Sequence, residues 1–246
     1  EGAPVPITAF LASASKAASF AVFIRIFMEG FSGIKQEWTM ALIVLCILTM
    51  AIGNLSAIPQ TNIKRLLAYS SIGHAGYLLI GLVIGTVNGL SAVMFYLLVY
   101  ALATLGIFMV IAIISKRIGT DEIEGYEGMS KRSPFLCLCM LICLASLAGL
   151  PPLAGFMGKF YLFAYAVDAK YIYLAVIGFI FSTISVYYYF RILKSMYFME
   201  AKDESIISFS LLLRVVLILI MLGLFLIGIL PQSFISLAIE SVPKWY

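Results

Sequence analysis

The sequence predicts an all-α membrane protein with seven transmembrane helices, one of them discontinuous. Three observations predict it. Hydrophobic residues make up 63% of the 246 positions and charged residues only 11%, against about 25% charged in a typical soluble domain. The apolar residues fall into seven runs, each near or above the roughly 20 residues that a spanning helix needs. One run is too long for a straight span and carries two adjacent prolines in its middle. A soluble core of this size cannot hide so much apolar surface, so the solvent must be lipid or other membrane helices.

The runs cover about 5–28, 38–58, 62–86, 90–114, 134–168, 171–198 and 208–230. The first follows Glu1-Gly2-Ala3-Pro4-Val5-Pro6, which has neither an initiator Met nor a signal-peptide pattern. That start is expected to be a loop inside a longer protein. Lys16 lies near the middle of this run, roughly 16–18 Å from either end at 1.5 Å per residue. A lysine reaches water only over the length of its own side chain, so Lys16 cannot snorkel out. An ionisable residue at that depth is a functional hypothesis by default.

The third run opens with Lys64 and Arg65, whose plain reading is a positive anchor at the membrane face. Inside it lies a polar patch from Tyr69 to Tyr77, containing His74, the single histidine. Two readings stand side by side. Gly73 and Gly76 can serve close helix packing with His74 bonded to a neighbour, or His74 can relay protons. A polar loop is expected from Ser115 to Ser133.

The fifth run would extend roughly 50 Å as one helix, against a hydrocarbon core of about 30 Å. Gly149-Leu150-Pro151-Pro152 interrupts it, followed by Gly155 and Gly158. Two prolines remove two helix N–H donors and clash with the preceding turn. A break is therefore expected between about 149 and 158. Irregular backbone at membrane depth is tolerated only where it is buried in protein or lines water, and in transporters it marks ion sites. Lys159 follows that break among Phe156, Met157, Phe160 and Tyr161. In the sixth run Tyr187, Tyr188 and Tyr189 face all sides and read as packing or interface aromatics rather than a cofactor box.

Loop charges set the topology. With the N-terminus on one side, that side carries Lys64, Arg65, Lys116, Arg117, Lys131, Arg132, Arg191, Lys194 and Lys202. The other carries Arg25, Lys35, Lys170 and Lys244, so the first side is cytoplasmic and the C-terminus lies opposite. The net charge of +4 is thus a topology signal; no Lys/Arg-rich face suggests nucleic acid. Cys46, Cys137, Cys139 and Cys143 all lie in apolar runs and read as buried packing residues rather than metal ligands. No nucleotide loop, iron–sulfur spacing or paired histidines for haem is present, so no cofactor is expected in this chain and ion movement is what remains. No Asp or Glu lies deep in a run, so the partners of Lys16 and Lys159 are expected to be water, backbone carbonyls or a carboxylate on another chain.

Four stretches resemble the antiporter-like membrane subunits of respiratory complex I. They are Glu1 to Leu11 with Ser15-Lys16, Gln60 to Ile72, His74 to Tyr77, and Leu147 to Pro152 continuing through Gly155 to Tyr161. The second is also similar to the Mrp cation/proton antiporters. Lysine at both 16 and 159 resembles the subunit N branch. The resemblance implies that 1–30 is the last helix of a first repeat, that 38–198 is a second, inverted five-helix repeat with its broken helix near 149–158, and that 208–246 is a C-terminal helix and tail. It implies proton translocation by a NADH:quinone oxidoreductase in the bacterial inner membrane, with no redox chemistry in the chain itself. Lys16 then links two half-channels, Lys159 exchanges protons with the periplasmic side, and His74 and Lys64 match positions on or near the polar axis. The implied partners are a neighbouring antiporter-like subunit, small membrane subunits, lipid and an absent N-terminal half. Mrp-type antiport and a hydrogenase-type membrane complex are the alternatives.

Overall fold

The computed structural model describes residues 3–201 and 205–242. Glu1, Gly2, Lys202 and Lys244, which entered the motif and charge counts, lie outside the described residues. The described residues are mostly helical, with one isolated bridge and no strand, and form a multi-pass membrane bundle. Six helical segments are long and apolar enough to cross a membrane, and a seventh crossing is built from two shorter helices in line with the expected break.

The first crossing is one rod from Val5 to Gly30. Within it α1 (Val5–Phe10) and α2 (Lys16–Arg25) are joined by a π-helical turn, Leu11–Ser15, and a second such turn, Ile26–Gly30, follows. Lys16 therefore stands immediately after a widened turn, a distortion that often accompanies functional positions. Then come α3 (Lys35–Ala57), α4 (Ile63–Ile84) and α5 (Val87–Ile118). Asn62 caps α4 by accepting from the Lys64 and Arg65 amides at 3.1 and 3.2 Å. Gly85 and Gly119 end α4 and α5 in the left-handed region, at φ 59° and 72°, which costs a glycine least.

The polar loop is shorter and more ordered than expected. α5 runs on to Ile118, about 48 Å of helix, because Lys116 and Arg117 suit its last turn, where the carbonyls point outward. A 3₁₀ turn at Ile123–Tyr126 and α6 (Met129–Arg132) follow, with Tyr126 and Met129 buried. Two backbone bonds of 2.9 Å, Ile63 N to Asp121 O and Ile123 N to Thr61 O, tie this segment to the start of α4.

The broken crossing consists of α7 (Pro134–Ala148) and α8 (Ala154–Asp168). Gly149 caps α7 at φ 86°, Leu153 is extended, and the Gly155 amide donates to Ser146 Oγ at 3.1 Å. The interruption spans 149–153, within the expected interval. α9 (Ile172–Phe198) and α10 (Leu211–Ile229) complete the crossings, and α11 (Pro231–Ser241) follows where only a tail was expected. Pro231 explains it: proline lacks the N–H that a first turn leaves unpaired and presets its φ.

α4 is buried on most of its faces and holds the centre. α3 lies against it so closely that a Cβ on Gly53 would meet Gly73 N at 2.2 Å. α5 packs against α1, α4, α7, α8, α10 and α11. Large apolar side chains such as Val22, Met40, Leu48, Phe179 and Leu219 are exposed on the outside, as a surface bathed in lipid or neighbouring helices requires. The four cysteines are free and buried.

Candidate functional site

α4 carries the middle of the site. His74 is 1% exposed. Its Nδ1 lies 2.7 Å from the Tyr96 hydroxyl and its Nε2 2.9 Å from the Tyr189 hydroxyl. Both ring nitrogens are engaged, so the tautomer decides which hydroxyl donates and which accepts. Tyr189 also hydrogen-bonds Ser70. The rings of Tyr100 and Tyr77 flank the imidazole at 5.0 and 5.6 Å.

Lys16 reaches this cluster from α2. Its Nζ donates to the Ser71 carbonyl at 2.5 Å, to Ser71 Oγ at 2.6 Å and to the Tyr100 hydroxyl at 3.2 Å. The same ammonium sits 4.3 Å from the Tyr100 ring centroid, where the π face attracts a cation. Lys16 is half-buried, because α2 is an outer helix.

Lys159 reaches the cluster from the opposite end and is 4% exposed. Its Nζ donates to the Ala148 carbonyl at 3.0 Å and to Ser182 Oγ at 2.8 Å. The sequence accounts for the first bond. In an unbroken helix the carbonyl of residue 148 would accept from the amide of residue 152, but residue 152 is proline and has none. The break frees an acceptor at the negative end of α7, and the ammonium takes it. Gly149 leaves the necessary room: a Cβ there would come within 3.1 Å of Lys159 Cδ. The Tyr77 ring lies 5.2 Å from Lys159 Nζ, between it and His74.

Lys16 and Lys159 thus each approach His74 by way of a tyrosine ring, Lys16 through Tyr100 and Lys159 through Tyr77. Lys64 does not join them. It pairs with Asp121 at 2.6 Å, ten residues before His74 on α4 and so about 15 Å along the axis. The packing reading of the 69–77 patch describes these contacts, since Gly73 and Gly76 pack against α3 while His74 is hydrogen-bonded to its neighbours.

Tyr188 and Tyr189 are buried in the packing as read, Tyr187 is exposed, and the two buried hydroxyls also make hydrogen bonds. Tyr188 donates to Asn54 Oδ1 at 3.0 Å, and Asn54 Nδ2 reaches the Tyr77 hydroxyl at 3.4 Å. Tyr96, Tyr100, Asn54 and Ser182 were not singled out from the sequence. The available signal was Tyr96 and Tyr100 spaced four apart on an otherwise apolar helix, which puts both hydroxyls on one face.

Residues 1–185 match a family model described as NADH:quinone oxidoreductase/Mrp antiporter, transmembrane. Over 238 residues the chain is 49% identical to NADH-quinone oxidoreductase subunit N of Desulforamulus reducens, covering 97% of this chain and 50% of that protein. A chain of respiratory complex I from Thermus thermophilus, solved with bound aureothin, is 34% identical with a TM-score of 0.82, over 96% of this chain and 52% of that one. A chain of the membrane-bound sulfane sulfur reductase, an archaeal respiratory membrane complex, is 31% identical with a TM-score of 0.87, over 97% and 49%. The chain thus spans about half the length of the curated relatives it matches.

Proposed function

The chain belongs to the NADH:quinone oxidoreductase/Mrp antiporter membrane family, and on that premise we propose that it is part of a proton-translocating membrane subunit of a NADH:quinone oxidoreductase. One observation carries the reading: two ammonium groups and an imidazole, with no carboxylate among their partners, meet in a polar interior surrounded by apolar helices. Structural packing alone gives no reason for two lysines there, because an ionisable group inside a membrane is costly.

Each group contributes a distinct step. Lys16 holds a proton between Ser71 and the Tyr100 hydroxyl. The Tyr100 ring passes its influence to His74, whose two nitrogens sit between exchangeable hydroxyls and can take a proton on one side while releasing one on the other. No direct hydrogen bond joins His74 to Lys159, so coupling across the Tyr77 ring is electrostatic. At an effective dielectric near 20, two unit charges about 10 Å apart repel by roughly 1.7 kcal/mol, so a proton arriving at one end favours release at the other. Lys159 holds its proton on Ala148 and Ser182 and is the exit. Electron transfer belongs to other subunits. The excess of Lys and Arg in the loops on the side where α1 begins supports a cytoplasmic start of α1, and the partners in this reading are a neighbouring antiporter-like subunit and small membrane subunits.

The test is Lys16→Met in the assembled complex. Met fills similar volume without a titratable group, so the complex should assemble while protons pumped per electron fall. An unchanged ratio in sealed vesicles leaves Lys16 only a structural role. The likeness to the sulfane sulfur reductase favours a second reading, a membrane subunit of a respiratory assembly with another electron donor. Copurification of an NADH-oxidising peripheral arm decides for the first reading, and its absence for the second.

A further inference from the structure

A second feature lies far from the lysine axis, where the last turns of α5 meet the segment leading into α10. There a groove of about 520 Å³ is lined by Met109, Ile113, Lys116, Arg117, Phe209 and Leu213, with Ser208 and Ser210 on its wall. Its parts are sorted by depth. Met109, Ala112, Ile113 and Lys116 recur at helical spacing on one face of α5, so an apolar strip runs toward the membrane from a cationic top. Lys116 and Arg117, both exposed, form that top beside the two serine hydroxyls. Arg214 lies outside the lining, 5.3 Å from the Phe209 ring. Among the described residues, no carboxylate lines the groove.

The facing wall is held in place. Arg132 Nε donates to the Ser205 carbonyl at 3.0 Å, Nη2 donates to Ser205 Oγ at 3.0 Å, and the Ile207 amide donates to the Arg132 carbonyl at 3.3 Å. Arg132 is thereby committed to the wall, while Lys116 and Arg117 face the groove. The mouth matches a phosphate, which takes charge-assisted bonds from Arg and Lys and further bonds from hydroxyls. The floor matches an acyl chain. A free anion has no use for the apolar strip, and a zwitterionic lipid carries an ammonium that Lys116 and Arg117 repel.

We infer that the groove between the C-terminal end of α5 and residues 207–213 is a binding site for one anionic phospholipid, its phosphate on Lys116 and Arg117 and one acyl chain along Met109, Ile113 and Leu213. Basic pockets between transmembrane helices at the cytoplasmic face hold such headgroups. The site has no part in the proton path and would anchor α10 to α5 from outside the bundle.

The probe is spin-labelled phosphatidylglycerol, titrated into the assembled complex in phosphatidylcholine nanodiscs. Replacing both cations, Lys116→Gln with Arg117→Gln, should weaken the saturable, motionally restricted component roughly 25-fold, since each basic residue near the surface contributes about 1 kcal/mol. Lys131→Gln, the loss of one cation on the same membrane face outside the groove, should leave it unchanged. Ala112→Phe, which keeps both cations but fills the floor, should also abolish it. Several results would overturn the proposal. One is a double variant that binds the label as tightly as the unaltered complex. Another is equal binding of labelled phosphatidylcholine, or displacement of the lipid by inorganic phosphate as readily as by unlabelled phosphatidylglycerol. The last is an unaltered complex with no restricted component that the variants lack, as when another protein chain covers the groove.

Discussion

Lys16 and Lys159 each lie against a tyrosine that flanks His74, yet the fold holds them in different ways. Lys159 is enclosed by its own chain: a freed carbonyl at the end of α7, the Ser182 hydroxyl of α9, and the space left by Gly149. Lys16 leans inward from an outer helix onto Ser71 and Tyr100, half-buried, while Val22, Phe23 and Ile26 of the same rod face outward. One lysine is fixed by a backbone defect and the other by side chains it reaches across a helix interface. The enclosed site should therefore be rigid and sensitive to packing, and the outer one adaptable and tolerant of losing a single partner.

The sharpest way to break this contrast is Gly155→Ala. A Cβ there would lie 1.7 Å from the Ser146 carbonyl oxygen, so α7 and α8 must separate. Overpacking against backbone should cost roughly 3 kcal/mol or more, seen as a lower thermal midpoint and less assembled complex. Normal stability would show that the break is not held by this contact. Lys159→Met should leave assembly intact and lower the protons pumped per electron more than Lys16→Met does, because no other cation lines the cavity at that end. Equal or smaller loss would put the two lysines on the same footing.

Smaller effects sharpen the comparison. Ser182→Ala removes one of two hydrogen-bond acceptors from a fully buried ammonium. A lost bond to a buried charged group costs about 1.5–3 kcal/mol, so pumping should slow by roughly tenfold or more. Tyr100→Phe removes one of three acceptors from a half-buried ammonium and keeps the ring beneath it. Its cost should be about 1 kcal/mol or less, a slowing of a few-fold at most in the same assay. The order of these last two results is what matters: a larger effect at Tyr100 than at Ser182 would reverse the assignment of the enclosed site.

Much of the site was legible because membrane depth can be counted along a helix. The positions of Lys16 and of the 149–153 break followed from residue numbers, 1.5 Å per residue and the chemistry of Pro151 and Pro152. The tyrosines were not legible. Tyr188 and Tyr189 are adjacent and look alike in sequence, and both turned inward onto hydrogen-bond partners from α3 and α4, while Tyr187 stayed outside. Nothing local sets which of three consecutive residues faces a partner; helix rotation sets it, and packing sets helix rotation. The π-helical turn before Lys16 was equally hidden, since Leu11–Ser15 carries no proline and no glycine.

By itself the sequence determined where helices run, where one must break, and which charges cannot reach water, because those outcomes depend on local backbone chemistry and on the thickness of a bilayer. Only the tertiary structure decided what the stranded charges touch. Ser71 lies 55 residues from Lys16, Tyr189 lies 115 from His74 and Ser182 lies 23 from Lys159. Those partners are chosen when close glycine contacts such as Gly53 on Gly73 and Gly158 on Tyr96 fix the distance and rotation of whole helices. In an apolar medium almost any helix face can pack, so it is this close approach of backbones that selects one set of polar partners over the others.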